Sequence, residues 1–348
     1  TAHNNTAVGF NSLGENTTGA DNVALGRNTL DACTSGGNNT ALGSYALTEL
    51  TTGSFNVAVG VGSLASATTS GNNTAVGQST LNLCTTGSEN VAVGRLAMEA
   101  TTTGNNSLGI GYSALRAMTS GTGNIAIGNY ALDAVTTADN NLALGRNALT
   151  ANTSGEQNIG IGNYTLDANT EGDGNTGVGY NCLSSNTTGD DNVAIGLDAL
   201  EDNTEGKRNV AVGVFALTNN TTGDSNTAVG YNSLIAATTA DSNVAVGLNS
   251  MYSTTSGDGC TAVGAAALFG NTTGTDNTVV GALALTGCTT GTQNNAVGYE
   301  ALKTITTNSQ CNAFGALALT SYSSATGTCN AFGQQALQDC TTGGANSA

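Results

Sequence analysis

The sequence predicts an all-β chain, a parallel β-solenoid (β-roll or β-helix) with about twenty 17-residue coils. Three observations predict it: a fixed short repeat, one glycine present in every repeat, and apolar residues at two-residue spacing just ahead of that glycine. Aligned on Asn5, successive repeats begin at Asn22, Asn39, Asn56 and Asn73 and run in phase to Asn294, with a one-residue slip between Cys311 and Cys329. The consensus is Asn-Thr/Val-Ala-Val/Ile/Leu-Gly-x-x-Ala/Ser-Leu-x-x-x-Thr-Thr/Ser-Gly-x-x. A unit this short cannot bury its own apolar face and must stack on its neighbours. Function is then expected on an extended surface.

Numbering each repeat from its Asn, position 4 is large and apolar throughout, as in Val8, Leu25, Ile195 and Phe332. Position 9 is Leu in eighteen repeats, among them Leu132, Leu149 and Leu166, and Met at Met98 and Met251. These two columns are the expected core ladder, with Val8, Leu25, Leu132, Leu149, Leu166 and Ile195 as its representatives. Position 2, one strand period from position 4, is expected to share its face. The opposite parity carries Asn, Ala and Gly. That face lines the interior or packs against a neighbouring chain.

Position 5 is Gly in all twenty repeats, from Gly9 to Gly333, which indicates a backbone requirement at a corner. Position 13 is Thr in nineteen, with Ser323 the exception, and the following Gly-rich polar residues read as a turn. The rung is therefore read as a strand over positions 1–5, a Gly corner, a second strand over positions 7–10, and a Thr-rich corner. Gly, Asn and β-branched residues in every would-be turn make a helix untenable. Twenty layers at about 4.8 Å would form a rod roughly 95 Å long.

Composition narrows the partners. The formal charge is −17, with five Arg and two Lys, so nucleic acid is a poor partner. No apolar run approaches the ~20 residues of a membrane span. With no Pro in the chain, every backbone N–H can join a ladder. The repeat runs through residues 1–348 as one continuous solenoid, and both ends fall in phase with it. The expectation is a segment of a longer array.

The pentapeptides Asn56–Gly60, Asn90–Gly94, Asn192–Gly196 and Asn243–Gly247, and the fuller Asn226-Thr-Ala-Val-Gly-Tyr-Asn-Ser-Leu234, resemble the head repeats of YadA-like trimeric adhesins and related bacterial surface and phage tail-fibre repeats. The resemblance covers essentially the whole chain, although the adhesin repeat is shorter and lacks the Thr-Thr-Gly segment. It implies a left-handed β-roll and self-association as a homotrimer. It also implies an extracellular location on a cell surface or virion, as a structural fibre or shaft for attachment. A subunit of an extracellular filament, or a binding module for ice, glycan or a host surface, is the alternative.

No catalytic constellation is expected, and the chain is not read as an enzyme. His3 is the single histidine, and no carboxylate pair is held by the repeat in catalytic geometry. No cofactor is expected, and the eight cysteines show no C-x-x-C zinc spacing. They read instead as small buried thiols in ladder slots, and Cys311 and Cys329 would sit on adjacent coils, within disulfide reach if the inserted residue permits. Acidic residues gather at positions 16–17, including Asp139, Asp224, Asp241 and Asp258. A calcium ion between stacked carboxylates is set against solvated turns there, and the calcium-binding nonapeptide is absent. The position-13 Thr column invites ice binding, or hydroxyls bonded along the ladder. Positions 6 and 7 hold nine of the fifteen aromatics together with three arginines. Tyr45, Tyr112, Tyr130, Tyr164, Tyr180, Tyr231, Arg27, Arg95 and Arg146 form the expected recognition row, against the plainer reading of a tolerant edge.

Overall fold

A computed structural model describes residues 2–322, 328–340 and 346–347; Ser323 and Thr341 of the threonine column lie outside them. The chain divides into two units, Thr1–Gly174 and Asn175–Ala348. In the first, ten three-residue strands from Thr6–Val8 to Ile159–Ile161 occupy positions 2–4 of successive repeats. Each pairs in parallel with the next at equivalent residues, as in Thr6 with Val23 and Ile125 with Leu142. The second unit repeats the arrangement from Thr176–Val178 onward, for example Val193 with Val210. It absorbs the slip by pairing Asn312 with Asn330. No helix occurs among the described residues. Each unit is a parallel β-solenoid whose coils are about 17 residues long.

Only positions 2–4 are strand. The second strand expected over positions 7–10 is absent, because the backbone there turns through the left-handed region. Position 9 has φ near +50° in every coil (Leu132 50°, Leu149 52°, Leu166 53°), and position 7 is also positive, as at Asn147 (57°) and Tyr164 (59°). A strand requires negative φ at each residue. A left-handed Leu costs about 1–2 kcal/mol, and burying its side chain returns about 1.5–3 kcal/mol. The turn that points this Leu inward therefore survives on burial alone. Its amide also bonds the next coil: Leu132 N–H donates to Ala148 O at 3.0 Å and Leu149 N–H to Thr165 O at 3.0 Å.

The interior differs from the expected core in one respect. Leu132, Leu149 and Leu166 are fully buried, but Val8, Leu25 and Ile195 are 58%, 45% and 41% exposed. Positions 2 and 4 point outward, and positions 1 and 3 point inward, where Asn22, Ala24, Asn192 and Ala194 are fully buried. The cause is the width of the coil. A Cβ built on Gly160, at position 3, would lie 3.4 Å from Leu149 Cγ, and one on Gly109 would lie 2.9 Å from Met98 Cγ. The space opposite the position-9 side chain of the preceding coil thus admits Ala and little more, and Gly stands where that side chain is Met98. Large residues at position 4 have no room inside.

The invariant glycine follows from close stacking. Gly128 has φ +141°, and an added Cβ would strike the carbonyl of Gly145 in the next coil. Gly128→Ala is expected to destabilise the first unit by more than the 1–3 kcal/mol of backbone strain alone, read as a lower urea midpoint. Leu149→Asp should open its coil and create a new protease cut nearby. The same change at the outward Leu144 should leave the cutting pattern unchanged.

Candidate functional site

The inward face of most coils is closed by asparagine, with Ser107, Cys260, Cys311 and Cys329 in its place in the others. Position 1 precedes the strand, so its backbone N–H has no carbonyl partner in the sheet, and the side chain of the preceding Asn supplies one. Asn39 N–H and Asn39 Nδ2 both donate to Asn22 Oδ1, at 3.0 and 3.1 Å, and Asn39 Nδ2 also reaches Gly53 O at 3.0 Å on the far side of its own coil. In the second unit Asn192 donates in the same way to Asn175 Oδ1, at 3.0 and 3.1 Å, and to Gly206 O at 2.8 Å. Each Asn therefore links two coils and staples its own coil shut. Cys260 occupies this slot with weaker partners: its thiol donates to Gly274 O at 3.4 Å and accepts from Asn277 N–H at 3.5 Å.

Position 16 uses the same device on the outer edge. Thr122 N–H donates to Asp139 Oδ1 at 2.6 Å, Glu156 N–H to Asp173 Oδ1 at 2.7 Å, and Asp224 N–H to Asp241 Oδ1 at 2.6 Å. Ser88 N–H finds Asn105 Oδ1 at 2.8 Å, so the requirement is for an acceptor and not for a charge. Among the described residues no group of three or more His, Cys, Asp or Glu is arranged to hold a metal ion. The position-13 hydroxyls are likewise engaged: Thr102 Oγ1 donates to Thr119 O at 3.1 Å and Thr187 Oγ1 to Thr204 O at 3.0 Å.

Cys33, Cys84, Cys182, Cys260, Cys288, Cys311 and Cys329 are buried. Burial pushes the thiols of Cys84, Cys182 and Cys288 up to about 11. It pushes Cys311, which hydrogen-bonds Cys329 on the adjacent coil, up to about 12. At position 12, Asn16 and Asn186 turn their Nδ2 to Gly19 O and Gly189 O at 3.1 and 3.0 Å, and Asn186 is fully buried.

The expected recognition row lies on the corner after the strand. In the first unit Arg27 stands over the Tyr45 ring at 5.6 Å, Arg95 over Tyr112 at 5.8 Å and Arg146 over Tyr164 at 4.7 Å. Tyr112 and Tyr130 meet edge to face at 5.2 Å. In the second unit Phe215 and Tyr231 pack edge to face at 6.0 Å, and Tyr180 and Tyr231 are exposed. Within each unit parts of the row meet on neighbouring coils, while Arg27 and Tyr45 stand several coils from Arg95. Two surfaces escaped the sequence reading. One is the outward stripe at positions 2 and 4, whose apolarity was taken as a mark of burial. The other is a hydroxyl row at position 14 (Thr52, Thr69, Thr86), exposed because the segment is not strand and adjacent residues share a side.

Comparison with family models and with curated proteins finds no match. No helix among the described residues is long and apolar enough to cross a membrane.

Asn192→Ala leaves Asn209 N–H without its acceptor, while the N–H of residue 192 still donates to Asn175 Oδ1, and should cost about 1–3 kcal/mol for the orphaned group, seen as a lower unfolding midpoint. Asp139→Asn retains the acceptor and should shift that midpoint little. The raised thiol values stabilise the fold while thiols are neutral in both states. That stabilisation is lost as pH rises from the ordinary value of 9.0 towards about 11. The native protein should therefore resist iodoacetamide at neutral pH at Cys84, Cys182 and Cys288, and lose stability above about pH 9. Rapid labelling of the folded protein at these sites would contradict their burial.

Proposed function

We propose that this chain is a structural fibre segment, the shaft of a surface adhesin or tail fibre, in which copies associate side by side through the position-2 and position-4 stripe. The observation that carries the reading is the exposure of that stripe. Val23, Leu25, Leu42, Val57 and Val91 in the first unit, and Val244, Val263 and Val280 in the second, stand on flat three-residue strands and are each at least one-third exposed. Exposed apolar side chains repeated on coil after coil form a contiguous patch of the kind that marks an interaction surface.

A second copy of the chain suits this stripe better than an unrelated partner. It carries the same side chains at the same spacing, so one register satisfies every coil together, as isologous or cyclic contacts require. The resemblance of Asn192–Gly196 and its equivalents to trimeric adhesin repeats supports three chains and an extracellular setting. The mechanical role follows from the chemistry: hydrogen-bonded coils with engaged Asn, Thr and Asp side chains resist bending and offer little loop for proteolysis.

Mass by light scattering is the test. The proposal expects a multiple of the 34.2 kDa chain mass, three for a trimer. A variant with Lys at positions 25, 42, 144 and 263 should fall to the single-chain mass with its circular dichroism unchanged. A wild-type protein that stays monomeric at every accessible concentration would refute the proposal.

A further inference from the structure

In the first unit the corner formed by positions 6 and 7 differs in charge from the rest of the chain. The chain has 24 acidic residues, yet none of them occupies position 6 or 7 in the ten coils from Phe10–Asn11 to Asn163–Tyr164. Three of the five arginines, Arg27, Arg95 and Arg146, do. Among the described residues these three make no ion pair, whereas Arg116 and Arg208 hold Asp133 and Asp224 at 2.9 and 3.2 Å. Asp21, Glu89, Asp139, Glu156 and Asp173 lie at positions 16 and 17, on a different stretch of the coil; Glu15, Asp31, Glu49, Glu99, Asp133 and Asp167 lie at positions 10 and 11, where Arg116 offsets Asp133.

Each unpaired guanidinium is instead laid over the tyrosine of the next coil, and two such groups, Arg95–Tyr112–Tyr130 and Arg146–Tyr164, occupy five successive coils. Arg95 covers Tyr112, Tyr112 meets Tyr130, and Arg146 covers Tyr164. The corner backbone beneath is pinned by side-chain amides: Tyr112 N–H donates to Asn129 Oδ1 at 3.2 Å and Arg146 N–H to Asn163 Oδ1 at 2.9 Å. Tyr130 is 41% exposed, and Arg95 and Arg146 are exposed. A cation–π contact localises each guanidinium at an exposed position, and an exposed guanidinium with no carboxylate partner is suited to bind one.

From this juxtaposition we infer that the Arg95–Tyr112–Tyr130–Arg146–Tyr164 ladder is a binding surface for an acidic polysaccharide, a chain of sugars carrying carboxylates. The C–H faces of the pyranose rings lie against the tyrosines, and the carboxylates meet Arg95 and Arg146. Coils spaced by about 4.8 Å advance by close to the length of one saccharide unit, so a glycan lying along the ladder keeps step with it. Charge density selects among polyanions. Arg95 and Arg146 are three coils apart, about 14 Å at that spacing, whereas double-stranded DNA carries a charge every ~1.7 Å. A polyuronate with one carboxylate per sugar sets every third carboxylate opposite an arginine and leaves the others in solvent, whereas a nucleic acid crowds many more unmatched charges into the same length.

The inference stands apart from the fibre reading: a monomeric mass would end that reading and leave this ladder untouched. The test is calorimetric titration of the full chain with oligogalacturonate, with its fully methyl-esterified form, which keeps the sugars and removes the carboxylates, and with oligothymidylate. Binding of oligogalacturonate is expected, weakened by salt, with the ester more than about tenfold weaker, because each lost charge-assisted hydrogen bond is worth ~1.5–3 kcal/mol. The double variants Arg95→Gln/Arg146→Gln and Tyr112→Ala/Tyr130→Ala should each lose more than about tenfold in affinity with melting unchanged. No binding of oligogalacturonate at millimolar concentration, equal binding of the ester, affinity unchanged in both double variants, or tighter binding of oligothymidylate would each overturn it. The ester comparison uses only the wild-type chain, so it decides the matter even where a variant fails to fold.

Discussion

A coil of 17 residues has too little interior for an ordinary hydrophobic core, and the buried asparagine at its first position is what makes so thin a coil stable. A strand of three residues leaves the N–H just ahead of it without a sheet partner, and an orphaned buried donor is costly. The asparagine answers with its own oxygen, as Asn22 does for Asn39, and its Nδ2 closes the coil on the Gly53 carbonyl. The polar interior is tolerable because the position-1 amides pair from coil to coil; the unpaired buried oxygens, such as Asn220 Oδ1, Asn271 Oδ1 and Thr101 Oγ1, lie in the position-12 column instead. Cys260 keeps both contacts through sulfur at longer distance, whereas Ser107 keeps the acceptor for Asn124 N–H and turns its own hydroxyl to Asn105 O.

With the polar closure in place, the remaining columns each have one physical task. The position-9 leucines fill the space left, and the alanine at position 3 is the largest residue usually accommodated against them; Val279, also fully buried, is the one larger exception. The glycine at position 5 lets successive corners approach. Threonine at position 13 and Asp, Asn or Ser at position 16 extend hydrogen bonding from coil to coil where the backbone alone does not. What remains free to vary is the outer surface, and the two functional readings belong there: an apolar stripe at positions 2 and 4, and an aromatic and basic corner at positions 6 and 7.

The repeat, its length and its parallel stacking were legible in the sequence, since a 17-residue period with invariant Gly admits few alternatives. Leu132, Leu149 and Leu166 were legible as core because position 9 is held to Leu or Met in every coil. Val8, Leu25 and Ile195 were misread, because apolar character was equated with burial although the interior is filled largely by Asn and Ala. The clue was present: small residues held at positions 1 and 3 in register are what a narrow interior demands. The missing second strand was not legible, because a leucine in the left-handed region looks no different in sequence from one in a strand. The Tyr and Arg row was legible as a column, but the pairing of each guanidinium with the next coil's ring depends on stacking geometry.

The account rests on buried side-chain amides at position 1, and nuclear magnetic resonance can observe them directly. Hydrogen exchange of the Nδ2 protons of Asn39, Asn141, Asn192 and Asn226 should be slow, comparable to the backbone amides of the neighbouring strands. The exposed side chain of Asn38 should exchange at the rate of a solvated amide. Equal, rapid exchange of both classes would mean that the coils are not closed by asparagine, and the structural argument built on that closure would be wrong.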